Sequence, residues 1–179
     1  MALPDGLIVI AKRECPTCTL VEPLLARLGD GGDRVTVLVQ DDPAYAAGMP
    51  GAVFDSTLEQ SFRLGIEFVP TLIRMRGGRE VARTHGWHRV DWQDISGQPT
   101  LGADLPPLRP GCASKTLEPG IAEALQLRYG STGLTARNVT LGDAEDPMEA
   151  CFDRGWTDGL PVVPPTPERV LRMLAGTTR

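Results

Sequence analysis

A short apolar segment followed closely by a Cys-x-x-Cys pair constrains the fold of this chain more than any other feature. Residues 7–11 (L-I-V-I-A) carry no polar side chain, which is typical of a strand buried on both faces of a sheet. Cys15 and Cys18 follow, and leucine and valine then recur at helical spacing until Gly29. Residues 35–40 form a second strand rich in valine. This order predicts a βαβ unit with the cysteines at the junction of the first strand and the helix.

Local pattern also predicts a kink in the helix of this unit and the elements that follow the unit. Proline at position 23 should kink the first helix, because proline removes a backbone donor and clashes with the preceding turn. The further predictions are a loop over 41–49, a helix over 58–64, a strand over 71–75, a Gly77-Gly78 hairpin turn, a strand over 80–84 and a helix over 90–95.

Proline usage divides the chain near Gly97. Ten of the 16 prolines follow this point, so we expect a domain over residues 1–96 and a Pro/Gly-rich linker over 97–119. Residues 120–179 form a small helical extension or the start of a further domain. Within it we predict helices over 120–129, 147–154 and 167–175, the last capped by Thr166, and a strand over 134–141. The extension has too few apolar residues for a sizeable core of its own. We therefore expect it to pack on the first domain, to form a homodimer, or to be the start of a further domain.

Charge and hydropathy exclude several classes of function. The net charge of −5 and the pI near 5.0 give no basic surface for nucleic acid or for an anionic membrane. No apolar run approaches the roughly 20 residues that span a bilayer. The N-terminus has neither a basic region nor a small-residue cleavage site, which predicts a cytoplasmic protein. Four cysteines in that compartment are not expected to form a static disulfide framework.

The Cys-x-x-Cys pair by itself allows three interpretations: a redox couple, half of a zinc site, or two inert cysteines. Structural zinc normally takes four ligands, and the remaining candidates are scattered along the chain. They are Cys112, Cys151, His85 and His88. We therefore predict no metal site.

The redox interpretation has a physical basis in the predicted helix. Unpaired backbone N–H groups and the positive end of the helix dipole stabilise a thiolate at a helix N-terminus. Cys15 stands at that first turn and is expected to be the exposed nucleophile, and Cys18, one turn later, can resolve a mixed disulfide. Pro16 suits the first turn, where its missing donor costs nothing.

These residues carry a resemblance to a known family. The first 95 or so residues resemble a thioredoxin-like disulfide oxidoreductase: C-P-T-C follows a buried strand, Pro23 comes five residues after Cys18, and L-G-I-E-F-V-P-T-L over 64–72 resembles the family's cis-proline segment. The resemblance implies an α/β thioredoxin fold, a central mixed sheet flanked by helices. It also implies a substrate groove that leaves the Val69 backbone available to an extended substrate. The implied groove residues are Pro16, Thr17, Val69, Pro70 as the cis-proline, and Thr71.

The activity implied by the resemblance is thiol–disulfide exchange on a protein or small-thiol disulfide. Cys15 attacks, Cys18 resolves, no cofactor is needed, and a thioredoxin-reductase or glutathione system recycles the dithiol. Two departures qualify it: Glu14 replaces the family's tryptophan and should raise the pKa of Cys15, and the first strand lacks the family's buried acid. The alternatives are a thioredoxin-like interaction module that docks a partner domain, and a dithiol that binds a soft metal.

The C-terminal half contains three features of undetermined role. Residues 155–170 resemble the start of a domain of larger bacterial proteins related to UGSC-type selenoproteins. Cys112 lies in a flexible Gly/Pro segment, where it either reaches the dithiol or is an ordinary linker cysteine. Cys151 is predicted to be a buried small residue on its helix.

Overall fold

A computed structural model describes residues 4–177 of the chain. The chain divides into two compact units, Met1–Leu125 and Gln126–Arg179. Within the described residues, no helix combines the length and the apolar character that crossing a membrane requires.

The first unit is built from short strands and helices around a central sheet. Their bounds are β1 Gly6–Ala11, α1 Pro16–Leu28, β2 Val35–Val39, β3 Ala52–Phe54, α2 Glu59–Arg63, β4 Phe68–Val69, β5 Thr71–Arg76, β6 Arg79–His85, β7 Trp87–His88, α3 Arg89–Ser96, β8 Leu108–Arg109 and β9 Cys112–Ala113. Five of these strands form one sheet in the order β3-β2-β1-β5-β6.

β1 is the centre of this sheet. It pairs in parallel with β2, where Val9 lies opposite Val37, and antiparallel with β5, where Val9 lies opposite Leu72. All its residues are buried, as the wholly apolar pattern predicted. A mixed sheet in this order, with α1 leaving the end of its central strand, is the thioredoxin fold predicted from the sequence.

α1 packs against the sheet through a continuous apolar stripe. Val21, Leu24, Leu25 and Leu28 are buried, and Pro23 lies inside the unbroken helix. Periodicity of 3.6 residues places these side chains on one face, so the helix covers the sheet and holds its own N-terminus at the end of β1.

The Gly77-Gly78 turn and the final helix of the predicted domain are both confirmed. Both glycines have positive φ, +58° and +70°, as a two-residue hairpin between β5 and β6 requires. The Asp5 carboxylate accepts hydrogen bonds from both glycine N–H groups, at 2.7 and 2.8 Å. These two bonds lower the pKa of Asp5.

Residues 97–119 differ from the predicted linker. Leu101 is buried, β8 pairs with β7, and β9 pairs with β4, so this segment is an integral part of the first unit. The prolines do not prevent this segment from packing on the first unit, because they lie outside the two short stretches, β8 and β9, that pair with other strands. We name residues 108–116 the strap.

From residue 121 onward the chain contains α4 (Ile121–Tyr129), α5 (Pro147–Asp153) and α6 (Pro167–Ala175). α6 begins as predicted, with Thr166 accepting a hydrogen bond from the Arg169 N–H and with Pro167 in the first turn. The strand predicted over 134–141 is wrong: these residues take no regular structure, because no strand in the described part of the chain pairs with them. α6 buries none of its residues.

Candidate active site

The Cys-x-x-Cys pair occupies the junction of β1 and α1. Cys15 is the N-cap residue of α1, with an extended backbone (φ −138°, ψ 112°), and its Sγ accepts a hydrogen bond from the Cys18 N–H at 3.3 Å. The cap position directs the sulfur at unpaired backbone donors of the first helical turn. Pro16 lies in that turn and is exposed, while Thr17 is buried.

Burial of the pair contradicts one prediction. Cys15 was expected to be an exposed nucleophile, but it is only 1% exposed, and Cys18 is fully buried. The strap lies over the start of α1, where Thr17 Oγ1 donates to the Pro110 carbonyl at 2.6 Å. Sequence reasoning missed this cover because it treated the segment as a free linker.

Hydrogen bonding lowers the pKa of Cys15 to about 5. The Cys18 thiol is the main donor and acts against the effect of burial, and the Cys112 thiol and the backbone N–H groups of Cys18 and Thr17 lower the pKa further. Glu14, expected to raise this pKa, is exposed and does not overcome these donors. Cys15 is therefore a thiolate at neutral pH.

Cys18 has the opposite character. Burial raises its pKa, and the adjacent Cys15 thiolate raises it further, so Cys18 remains a thiol at neutral pH. Two thiols one helical turn apart thus divide into a charged sulfur and a protonated one, the arrangement that a nucleophile and a resolving thiol require.

The cis-proline loop faces this pair. The Val69–Pro70 peptide bond is cis, Val69 and Pro70 are buried, and the Cys15 Sγ lies 3.4 Å from the Val69 carbonyl oxygen. Thr71 Oγ1 donates to the Phe68 carbonyl at 2.6 Å, a hydrogen bond that fixes the conformation of the loop. The loop and the dithiol are therefore brought together, as the sequence suggested.

The Val69 backbone, however, is not available to a substrate in this structure. Val69 pairs with Cys112 of the strap, and the next residue along, Ala113, pairs with Phe68. The strap therefore occupies the groove in which the resemblance predicted an extended substrate. Cys112 and Cys15 also affect each other's ionisation: the Cys112 thiol helps to lower the pKa of Cys15, and Cys15 helps to raise the pKa of Cys112.

Sequence reasoning missed two residues that shape the site. The Asp41 carboxylate accepts hydrogen bonds from the backbone N–H groups of Arg13 and Glu14, at 2.8 and 3.0 Å, and so fixes the segment before Cys15. The buried Tyr45 donates its hydroxyl to the Cys18 carbonyl at 2.8 Å. A signal existed for Asp41, since it follows β2, and parallel neighbouring strands end at the same edge of the sheet.

The remaining cysteine belongs to the second unit, and the two histidines make contacts of their own in the first. Cys151 is buried on α5 of the second unit, as predicted. His85 contacts the Thr71 hydroxyl at 3.1 Å, and His88 contacts Asp91 at 2.9 Å. Over residues 4–177, no group of three or more His, Cys, Asp or Glu side chains is arranged to hold a metal ion.

Comparison with known proteins gives structural likeness only. No family model matches the chain, and no curated protein matches it. Reduced Schistosoma mansoni thioredoxin pre-protein is similar with a TM-score of 0.37 and 20% identity, over 52% of this chain and 79% of that one. Malassezia sympodialis thioredoxin is similar with a TM-score of 0.36 and 20% identity, over 55% of this chain and 79% of that one. None of these comparisons supports the resemblance stated for residues 155–170, which stays a prediction.

Proposed function

We propose that this protein is a thiol–disulfide oxidoreductase whose working groups are Cys15 and Cys18. The observation that carries the proposal is the position of Cys15 as the N-cap of α1, one turn before Cys18, where its Sγ accepts a hydrogen bond from the Cys18 N–H at 3.3 Å. Cys15 has its pKa lowered to about 5, and Cys18 keeps its proton. A thiolate is the nucleophile in disulfide exchange, and a low pKa also makes the same sulfur a good leaving group.

Each group has one role in the exchange. The Cys15 thiolate attacks one sulfur of a disulfide and forms a mixed disulfide, and the other sulfur leaves as a thiolate. Cys18 then loses its proton and attacks the Cys15 sulfur, which releases the second substrate thiol and leaves a Cys15–Cys18 disulfide. No cofactor takes part, because both electrons come from the two thiols. A thioredoxin-reductase or glutathione system in a reducing compartment such as the cytoplasm would restore the dithiol.

The groove residues support this chemistry by position. Pro16 is exposed beside the buried Cys15, and Pro70 and Thr71 follow Val69, whose carbonyl oxygen lies 3.4 Å from the Cys15 Sγ. Thr17 and Val69 bind the strap, through the Pro110 carbonyl and by pairing with Cys112. In our proposal these five residues shape the approach of a sulfur to Cys15, and Val69 and Thr17 do so by holding the strap.

Two measurements test the proposal. A Cys15–Cys18 couple with a defined potential between roughly −120 and −270 mV is expected, the range of known exchangers. Cys15→Ser should abolish reduction of oxidised glutathione or insulin, while Cys151→Ser, a buried cysteine in the second unit, serves as the matched control. Full activity in Cys15→Ser would refute the assignment.

A second candidate function, an interaction module, is favoured by the second unit. Several large apolar residues there are half exposed or more: Met148 50%, Phe152 58%, Leu160 70%, Val163 72% and Met173 70%. Apolar surface of this kind marks a protein interface. A homodimer through this unit should dissociate when Leu160 and Val163 are replaced by Asp, and sedimentation equilibrium would show the change in mass. If the wild-type protein is a monomer, the homodimer is ruled out and the partner of this surface is a different protein.

A further inference from the structure

The strap places a third cysteine, Cys112, beside the loop that contacts the Cys15–Cys18 pair. Cys112 lies directly opposite Val69 in the β4–β9 pair, and the Val69 carbonyl oxygen is 3.4 Å from the Cys15 Sγ. Directly opposed residues of antiparallel strands have their Cβ atoms about 4.5–5.5 Å apart, so the Cys112 side chain lies beside Val69, the residue whose carbonyl oxygen contacts the Cys15 sulfur. Cys15 and Cys18 are buried, whereas Cys112 keeps partial exposure. An external sulfur therefore meets Cys112 before it meets either member of the pair.

The strap is held at several points along its length. Thr17 Oγ1 donates to the Pro110 carbonyl at 2.6 Å, and the Ser114 N–H donates to the Glu67 carbonyl at 2.8 Å. The Gln40 side-chain amide donates to the Ser114 hydroxyl at 2.8 Å in a buried position. Direct access to Cys15 would require these bonds to break together, so the open state is the less populated one.

Glycines let the strap lie against the cis-proline loop without a gap. A Cβ on Gly111 would lie 2.8 Å from the Val69 carbonyl oxygen, and a Cβ on Gly86, which has φ +68°, would lie 2.7 Å from the Gly111 nitrogen. Only residues without a side chain allow backbones to approach so closely. The strap is thus fitted to this groove, as a built part of the active site.

We propose that Cys112 is a third redox residue, which relays the disulfide between the buried Cys15–Cys18 pair and a thiol substrate at the surface. The proposal rests on the exchange activity proposed above and adds the residue through which a substrate reaches it. Because the strap fills the groove, the substrate is a small thiol or a protruding cysteine and not an extended peptide paired with Val69.

The relay consists of three exchanges that balance in electrons and protons. Cys112 attacks the Cys15 sulfur of the Cys15–Cys18 disulfide, forming a Cys15–Cys112 disulfide, and its proton goes to the departing Cys18. A substrate thiol then attacks the Cys112 sulfur, giving a mixed disulfide and releasing the Cys15 thiolate and one proton. A second substrate thiol attacks the mixed disulfide and restores the Cys112 thiol. Two substrate thiols are oxidised to a disulfide, and the Cys15–Cys18 pair is reduced.

The electrostatics of the cluster agree with this order. Burial and the neighbouring Cys15 thiolate both raise the pKa of Cys112 in the reduced protein. That thiolate is absent while Cys15 is in a disulfide, so Cys112 loses one of the two effects that keep it protonated when it has to attack. Cys15, with a pKa lowered to about 5, is then the better leaving group of the Cys15–Cys112 disulfide.

The test uses the full chain with glutathione as the thiol probe. Oxidised protein is mixed with reduced glutathione, quenched in acid at short times and mapped by peptide mass spectrometry. We expect the transient glutathione adduct on Cys112. We expect Cys112→Ser to slow reduction of the Cys15–Cys18 disulfide on the order of tenfold or more, since glutathione must then wait for the strap to open. Cys151→Ser, the matched control, should react at the wild-type rate.

A second variant tests the internal step. Cys18→Ser treated with oxidised glutathione should accumulate a Cys15–Cys112 disulfide, which mapping identifies directly. Adducts on Cys15 alone, with an unchanged rate in Cys112→Ser, would overturn the relay and leave the exchange function intact. A wild-type protein that never forms the Cys15–Cys18 disulfide would overturn the exchange function itself. The wild-type mapping needs no substitution and decides the matter even if a variant fails to fold.

Discussion

The ionisation of Cys15 offers the most direct test of the site, with Cys18→Ala as the perturbation. The hydrogen bond from the Cys18 thiol is the largest cause of the lowered pKa of Cys15, about 5 in the intact protein. At pH 7 this pKa corresponds to about 99% thiolate, against about 3% for a free cysteine with a pKa of about 8.5. Removing the donor should raise the pKa and reduce the thiolate fraction at pH 7.

Thiolate absorbance at 240 nm, followed as a function of pH in reduced protein, measures this fraction. The difference between the wild type and Cys15→Ser isolates the titration of Cys15, because burial raises the pKa values of Cys18 and Cys112. The wild-type difference curve should have its midpoint near pH 5, and the Cys18→Ala curve should move to higher pH. A wild-type midpoint at pH 8 or above would refute the reasoning, and so would an unmoved midpoint in Cys18→Ala.

Three further predictions concern the parts that hold the site in place. Gly111→Ala should destabilise the protein by about 1–3 kcal/mol in urea unfolding, because its Cβ meets the Val69 carbonyl at 2.8 Å, while Gly29→Ala, with φ −70° and open space around it, should be neutral or slightly stabilising. Thr17→Val removes the hydrogen bond to the Pro110 carbonyl, so iodoacetamide should alkylate Cys15 faster than in the wild type; an unchanged rate would show that this bond does not restrain the strap. Although burial acts to raise the pKa of Asp41, backbone N–H donors lower it overall, so its contribution to stability is present above pH 4 and declines as the pH falls through the folded pKa. Asp41→Asn should flatten that acid decline in thermal unfolding curves, and an identical decline would contradict the assignment.

Local pattern predicted the first half of the fold well. Residues 7–11 are a continuous apolar run, and the helix after Cys15 has its apolar residues on one face, so β1 and α1 could be placed from local pattern alone. Gly77-Gly78 has the backbone freedom that a tight hairpin needs. These elements follow from interactions between residues near in sequence, together with one simple rule of burial.

Local pattern failed where structure depends on a distant partner. Residues 134–141 have the composition of a strand but find no strand beside them in the described part of the chain, and residues 108–116 look like a linker but find strand edges at β4 and β7. Strand pairing is satisfied between segments, so no property of the strap by itself reveals its position.

The sequence by itself determined that a dithiol stands at a helix N-terminus, because the strand, the Cys-x-x-Cys pair and the helical stripe are adjacent in the chain. Only the tertiary structure decided how exposed that dithiol is and what lies next to it. The pairing of Cys112 with Val69 joins residues far apart in the chain, and it depends on backbone contacts that Gly86 and Gly111 permit. Burial by the strap, and hydrogen bonds that form only in the folded chain, set the charge on Cys15.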